Sequence, residues 1–430
     1  MNKQADVVII GGGIIGSTLA WELARRKVDV MLLEKDDIAQ GQSSRAWGFV
    51  RQQRRDPAEL PMMIEANRMW PQLSAELGAD FEWTQHGIMA VADSDERMGY
   101  YRDWYEQTRE FGVESRLLTT RDVRELNPDM QGAWIGGIYT PNDGHAEPGL
   151  ATKAFADAAR RLGAGVHTGV TVDAIDVSGG SVRGVRANGE YIRADTVVCA
   201  AGTWSGRLGR TIGLDLPQRP VRQTVVEVDP RREISSIATW TPGVAFRQRP
   251  GGTVYLARPD DGDHDVDLDS LRNITWFLPN FLENRNAFRI NIGKNLLKDL
   301  PRLRPTSRHW RKQFHQSVGV EPDPNPDVID RCRQNFVRLF PHTGNPEIIR
   351  SWGGVIDATP DALPVMGEAP EVAGFVWATG FSGHGFGIGP AAGKALAQLI
   401  ESGASEFDLH PFRPNRFAEK GYRITARKIA

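Results

Sequence analysis

Residues 5–35 read ADVVIIGGGIIGSTLAWELARRKVDVMLLEK, and this stretch decides the fold. The apolar run at 6–10 predicts a short buried strand. Apolar periodicity from about 15 to 26 predicts a helix, and residues 28–33 a second strand ending at Glu34. Gly11, Gly13 and Gly16 stand at GxGxxG spacing in the strand-to-helix turn. The first glycine allows a tight turn, the second lets backbone approach phosphates, and the third lets helix and strand pack closely. The helix N-terminus, at Ile14 and Ile15, offers unpaired N–H groups and a positive dipole end to a diphosphate. Glu34 is placed to accept hydrogen bonds from ribose hydroxyls and to repel a 2′-phosphate. Strand, helix, second strand and terminal acid together predict a dinucleotide site, where a lone glycine motif would not.

The remaining composition sets bounds. A chain of 430 residues can hold two domains, and 40% hydrophobic with 25% charged residues is ordinary for a globular protein. A net charge of −2 gives no electrostatic reason to expect nucleic acid or acidic lipid as a partner. Cys199 and Cys332 are too few for a disulfide framework or a zinc site, so no metal is expected. The first strand starts at residue 6 and no apolar run nears membrane-spanning length, so a cytoplasmic location is expected.

The pattern along the chain is interleaved. Residues 57–78 carry helical periodicity, and 147–162 form another helix. Short strands with glycine-rich turns follow at 165–199, and strands resume at 221–228, 244–247 and 253–257. A helix is expected at 391–400, opening at Pro390. The expected architecture is α/β (α+β): a Rossmann-like dinucleotide domain interleaved with a mixed-sheet substrate domain. The first takes residues 1–60, 146–218 and 347–403, and the second 61–145 and 219–346 with a helical insertion near 264–340. Residues 404–430 form a C-terminal tail.

Several separated segments carry a resemblance: 5–35, GQSSRAWG at 41–48, VTVDAIDV with GGSVRGV at 170–185, VVCAAGTWS at 197–205, WGGVIDATPDALPVMG at 352–367 and ATGFSGHGFGIGP at 378–390. In this order and spacing the chain resembles the D-amino acid oxidase/sarcosine oxidase (glycine oxidase-like) family of FAD-dependent oxidoreductases, closest to the sarcosine oxidase β-subunit type. The resemblance implies roles. Gly11, Gly13, Gly16, Glu34 and Lys35 would surround the diphosphate and adenosine ribose. Gln42, Ser43, Ser44 and Arg45 would lie against the diphosphate, with Trp47 and Gly48 following. Val172 would meet adenine through its backbone. Ala200, Ala201, Gly202 and Trp204 would form the turn under the cofactor. Gly354, Ile356, Gly380, Ser382, Gly383, His384, Gly385, Phe386 and Gly387 would wrap the isoalloxazine. A glycine-rich loop suits the approach of backbone to a flat ring, and a following helix N-terminus suits its reduced, negative form.

For chemistry, the resemblance points to oxidation of a C–N bond in a secondary amine or amino acid to an imine, by hydride transfer to flavin N5. Arg51 is the candidate cation near the ring or on a substrate carboxylate; the competing reading is a surface arginine in the run Arg51, Arg54, Arg55. His384 is a candidate to orient the site, or simply a loop histidine. Tyr255 stands in a strand where some relatives carry a lysine that helps oxygen react, and a tyrosine there favours a dehydrogenase. Trp47 and Trp352 could flank the pocket or merely pack. Ile356 replaces the carboxylate-binding arginine of glycine oxidase-like members. Residues 36–60 lack histidine and the C-terminal flavin loop lacks cysteine, so non-covalent FAD is expected. Expected partners are a small amine or amino acid, an electron acceptor (carrier protein, quinone or oxygen) and further subunits. The basic, aromatic stretch 264–318 has three readings: closing the active site, docking a subunit or acceptor, or lying on a membrane. Its prolines and charges interrupt any long amphipathic stripe. Rival functions are a 2-hydroxy acid dehydrogenase, a flavoprotein subunit of a larger amine dehydrogenase complex, and a nicotinamide enzyme.

Overall fold

A computed structural model describes residues 3–258, 261–284, 288–293, 296 and 307–424. Its opening unit is the strand Gln4–Ile10, the helix Ile14–Arg25 and the strand Val30–Leu33. The two strands pair in parallel with Ile10 level with Leu33, joined by the helix as their crossover. Parallel pairing continues to Gly165–His167 on one side. On the other it runs through Glu190–Cys199 to Phe375–Thr379. Val7, Val8, Ile9, Leu32, Val197 and Val198 are almost wholly buried, which is why these strands read as continuous apolar runs. The hairpin strands Val172–Ser178 and Ser181–Ala187 extend this sheet.

A second, larger sheet is built mostly from antiparallel strands around the long pair Arg219–Asp229 and Glu347–Ala358, which pair from Arg219↔Ala358 to Asp229↔Glu347 with one register shift between Glu227 and Val228. The sequence pattern groups the strand Glu347–Ala358 with the dinucleotide segments. Its hydrogen bonds place it in the second sheet, because its whole length is paired with Arg219–Asp229. It therefore carries Gly354, Ile356 and Asp357 from one sheet to the edge of the other.

The last helix is Gly385–Ser402, so it starts at Gly385 and not near Ala391 as the sequence suggests. Pro390 lies inside it instead of opening it. Gly385 and Gly387 hide a helical first turn behind loop-like composition. This helix crosses the first one closely. A Cβ on Gly389 would stand 2.7 Å from Ile14 Cγ1, and one on Gly393 2.7 Å from Thr18 Oγ1. Thr18 Oγ1 donates to Gly389 O at 3.1 Å across that crossing.

Within the expected tail, residues 410–418 are docked: Arg416 is fully buried and paired with Asp361 at 2.7 Å. In the insertion, Ile274–Glu283 is helical despite Pro279, with Ile274, Leu278 and Leu282 exposed along it. These three residues share one face of a single ten-residue helix. Part of the insertion, at 285–287, 294–295 and 297–306, lies outside the described residues. Among the described residues no helix is long and apolar enough to cross a membrane, and no cluster of His, Cys, Asp and Glu could hold a metal.

Candidate functional site

The glycine-rich segments meet because the parallel strands end at one edge. Ile10, Leu33, Cys199 and Trp377 are level in register, so Gly11, Glu34, Ala200 and Gly380 follow at the same carboxyl edge. Gly11 has φ +112°, and a Cβ there would fall 2.4 Å from Ala200 O. A Cβ on Gly16 would fall 2.0 Å from Gly11 O. Only glycine fits at either place. Ser43 Oγ accepts from Ile14 N at 2.8 Å, which lays the short 3-10 turn Gln42–Ser44 across the first helix N-terminus. Other first-turn N–H groups of that helix have no intrahelical partner. Glu34 accepts from Gly12 N at 2.7 Å and from Asp36 N at 2.8 Å. The acid assigned to ribose therefore also pins the glycine turn. Burial pushes its carboxyl pKa up, and these backbone bonds oppose the shift. Val172 is buried and Ala201 and Gly202 sit in the turn after the strand Glu190–Cys199. A glycine-lined backbone cradle at a helix N-terminus, with an acid at the second strand, fits the diphosphate and ribose of a dinucleotide.

At the other end, residues 380–383 form a strained loop. Gly380, Ser382 and Gly383 have φ of 72°, 48° and 86°. Ser382 tolerates the left-handed region because Thr359 N donates to its Oγ at 3.1 Å and that Oγ reaches Gly380 O at 3.1 Å. Asp357 accepts from Gly380 N at 2.8 Å, Thr379 Oγ1 at 3.3 Å and Gln218 Nε2 at 3.4 Å. Gln218 Nε2 and Thr379 Oγ1 both also reach Gly202 O. One carboxyl thus joins the loop, the long strand and the Gly202 turn. Burial raises its pKa to about 6. Ile356 lies against Gly383, and Gly354 against Arg45. The helix that follows presents Gly385, Phe386 and Gly387 as its first turn, held by Trp70 Nε1 donating to Gly387 O at 2.8 Å.

The third wall is the run 49–59. Arg51 is not a surface residue. Its Nη1 donates to Gln53 O and its guanidinium lies 5.0 Å from the Trp240 ring centroid. Among the described residues it forms no ion pair. Burial, then the neighbouring Arg55 and Arg54, push its pKa well down. Arg54 covers the same Trp240 ring at 4.4 Å. Asp143 is fully buried under this run, accepting from Gln52 N at 2.8 Å and Gln53 N at 3.1 Å, and burial lifts its pKa to about 6. His384 Nε2 stands 2.7 Å from Glu59 Oε1, and burial lowers its pKa against the pull of Glu59. Arg55 and Arg51 are near enough to lower it further. Arg51 is thus within electrostatic reach of His384, the residue that ends the glycine loop.

Tyr255 lies on the other side of Trp47. Trp47 packs 5.2 Å from Trp240 and also joins the cluster of Tyr255, Trp352 and Val225. The Tyr255 hydroxyl donates to Glu147 at 3.1 Å and accepts from Arg350 at 2.8 Å. Burial, then Glu147, raise its pKa to about 12. Around it Arg247, Arg249 and Arg350 face Glu147, Glu82 and Glu227. Gly48 abuts Arg247. Sequence reasoning missed Glu59, Asp143, Trp240 and Asp357 as members of the site. Each is a single residue whose partners lie far away in the chain.

A model of the family described as FAD dependent oxidoreductase matches residues 6–399. The chain belongs to this family. Among curated proteins, glycine oxidase from Geobacillus kaustophilus is 27% identical over 98% of this chain and 99% of its own length. Mitochondrial dimethylglycine dehydrogenase from Mus musculus is 26% identical over 97% of this chain but only 44% of its own length. An L-amino acid deaminase structure from Proteus myxofaciens, in complex with anthranilate, superposes with a TM-score of 0.91 at 26% identity, covering 98% of this chain and 95% of that one. This FAD-dependent oxidoreductase thus resembles enzymes of amino acids and N-methyl amino acids.

Proposed function

We propose that this FAD-dependent oxidoreductase oxidises the C–N bond of a carboxylate-bearing amine, an amino acid or N-alkyl amino acid, to an imine, and passes the electrons to a carrier in preference to oxygen. The observation that carries this reading is Arg51: a guanidinium over the Trp240 ring, without an ion-pair partner among the described residues and within electrostatic reach of His384. A guanidinium held by no ion pair, opposed only by the weaker pull of the buried Asp143 carboxyl, favours an anionic group in a partly desolvated cleft and matches a carboxylate bidentately. Names of the relatives agree: glycine, dimethylglycine and L-amino acids are carboxylates, as is the anthranilate of the deaminase complex.

When bound, FAD supplies a two-electron acceptor for the substrate's α-hydride. The residues proposed to hold it are Gly11, Gly13, Gly16, Glu34, Ser43, Arg45, Gly202, Gly380, Ser382 and Gly383, without a covalent link. Arg51 would fix the carboxylate and so aim the α C–H. Trp240 and Trp47 would exclude water from the same side. His384, kept neutral by burial, would hold the loop through Glu59. The three arginines around Tyr255 are matched by three glutamates. Among the described residues no uncompensated cation there favours oxygen's reduction to an anion, which supports a carrier as acceptor. Anaerobic titration with amines, amino acids, N-alkyl amino acids and hydroxy acids tests the reading. N-Alkyl amino acids or amino acids should bleach the flavin. Bleaching by none of them, or by hydroxy acids alone, would overturn it.

A further inference from the structure

Residues 314–323 leave the insertion of the second sheet and cross the dinucleotide cleft. Phe314 is buried against Trp204, ring centroids 5.9 Å apart. His315 Nε2 stands 2.6 Å from Asp173 Oδ1. Ser317 O accepts from Lys35 Nζ at 2.9 Å, and Gly319 N donates to Asp36 Oδ1 at 2.6 Å. Glu321 accepts from Gln40 Nε2 at 3.0 Å and pairs with Arg45. The far end is anchored on the second sheet. Asp323 O accepts from Arg222 at 2.9 Å, and Pro322 O lies where a Cβ on Gly353 would fall, at 2.5 Å.

The tether points are not scattered. Lys35 and Asp36 follow the acid Glu34; Gln40 and Arg45 belong to the diphosphate loop. Asp173 follows Val172, and Trp204 closes the Gly202 turn. The segment thus touches both walls of the nucleotide cleft and spans between them. It adds no strand to the parallel sheet, whose pairing is complete without it. Apart from Phe314, its holds on the nucleotide walls are polar and mostly exposed, the kind that form and break without disturbing a core.

We infer that residues 314–323 are a clasp over the adenosine-diphosphate half of FAD, an outer wall of the cofactor site supplied by the second sheet's insertion. FAD leaves only when this clasp parts from Lys35, Asp36, Gln40, Arg45 and Asp173. This goes beyond the proposed amine oxidation and does not depend on it, since the test reads cofactor release with no substrate present.

The test dilutes purified holoenzyme into FAD-free buffer and follows the rise of free-flavin fluorescence. The double variant His315→Gln, Glu321→Gln should release FAD about tenfold faster or more, with each single variant in between, since the clasp acts on the off-rate. Release by the double variant within about twofold of the parent rate would overturn the clasp. A second measurement needs no variant: hydrogen exchange of residues 317–323 in the parent, with and without FAD. The clasp requires slower exchange when FAD is bound; equal exchange in the two forms would also overturn it.

Discussion

Arg51 concentrates the chemical argument at the scale of single residues. A carboxylate seated on a partly buried guanidinium makes charge-assisted hydrogen bonds worth about 1.5–3 kcal/mol. Arg51→Met should therefore lower kcat/KM for an N-alkyl amino acid by about 10- to 100-fold. It should leave the rate with the decarboxylated amine nearly unchanged. Steady-state kinetics with both substrates checks this, and an equal fall for both would make Arg51 structural. Asp357 makes a pH-dependent prediction. Burial lifts its pKa from 3.8 to about 6, so the folded protein binds this proton more tightly than the unfolded chain. The stability it contributes is greatest below pH 4 and falls as pH rises towards 6. Asp357→Asn removes that titration. The variant's stability relative to the parent should accordingly improve by about 2 kcal/mol between pH 4 and pH 6.5. Urea unfolding at the two pH values measures it, and a difference that does not change with pH would refute the assignment.

Among elements, the crossing of the first and last helices sets how tightly the two ends of the cofactor site are held together. Gly393 leaves no room beside Thr18, so Gly393→Ala should cost about 1–3 kcal/mol in urea unfolding. Gly99, inside the helix Asp95–Thr108, has open space within 4 Å of where a methyl group would sit. Gly99→Ala should instead stabilise by about 0.5–1 kcal/mol, separating packing from helix propensity. The same helices show what is readable beforehand. Residues 14–25 can be placed from the sequence because apolar periodicity and the GxGxxG turn impose one geometry. The start of the last helix cannot: glycine and proline report flexibility, and the first turn at Gly385 is held by Trp70, a residue far away in the chain. Glu59 and Asp143 are illegible for the same reason. An acid in a polar, basic loop reads as solvated until the fold sets His384 or a pair of backbone N–H groups against it. The glycine segments are legible because backbone clash allows nothing else at Gly11 or Gly16.

Across the whole molecule, the site exists only where two sheets are brought together. Gly11, Ser43 and Gly202 come with the parallel sheet, whereas Gly354, Ile356 and Asp357 arrive on a strand paired into the other. Around the 380–383 loop these parts are joined largely by side chains such as Asp357 on Gly380 and Gln218 on Gly202. A ligand touching all of them should act as part of the structural framework. Removing FAD should lower the thermal midpoint, and adding it back should raise the midpoint progressively with concentration. The gain should approach about 2.7 kcal/mol at a hundredfold excess over Kd. Loss of protection in hydrogen exchange should be confined to residues 41–48, 317–323 and 380–384 and to the Gly202 turn. The strands Gln4–Ile10 and Glu190–Cys199, paired along their length, should stay protected. A uniform loss of protection would mean instead that the parallel sheet itself depends on the cofactor. A thermal midpoint insensitive to FAD would show that the two sheets hold the cleft in shape on their own.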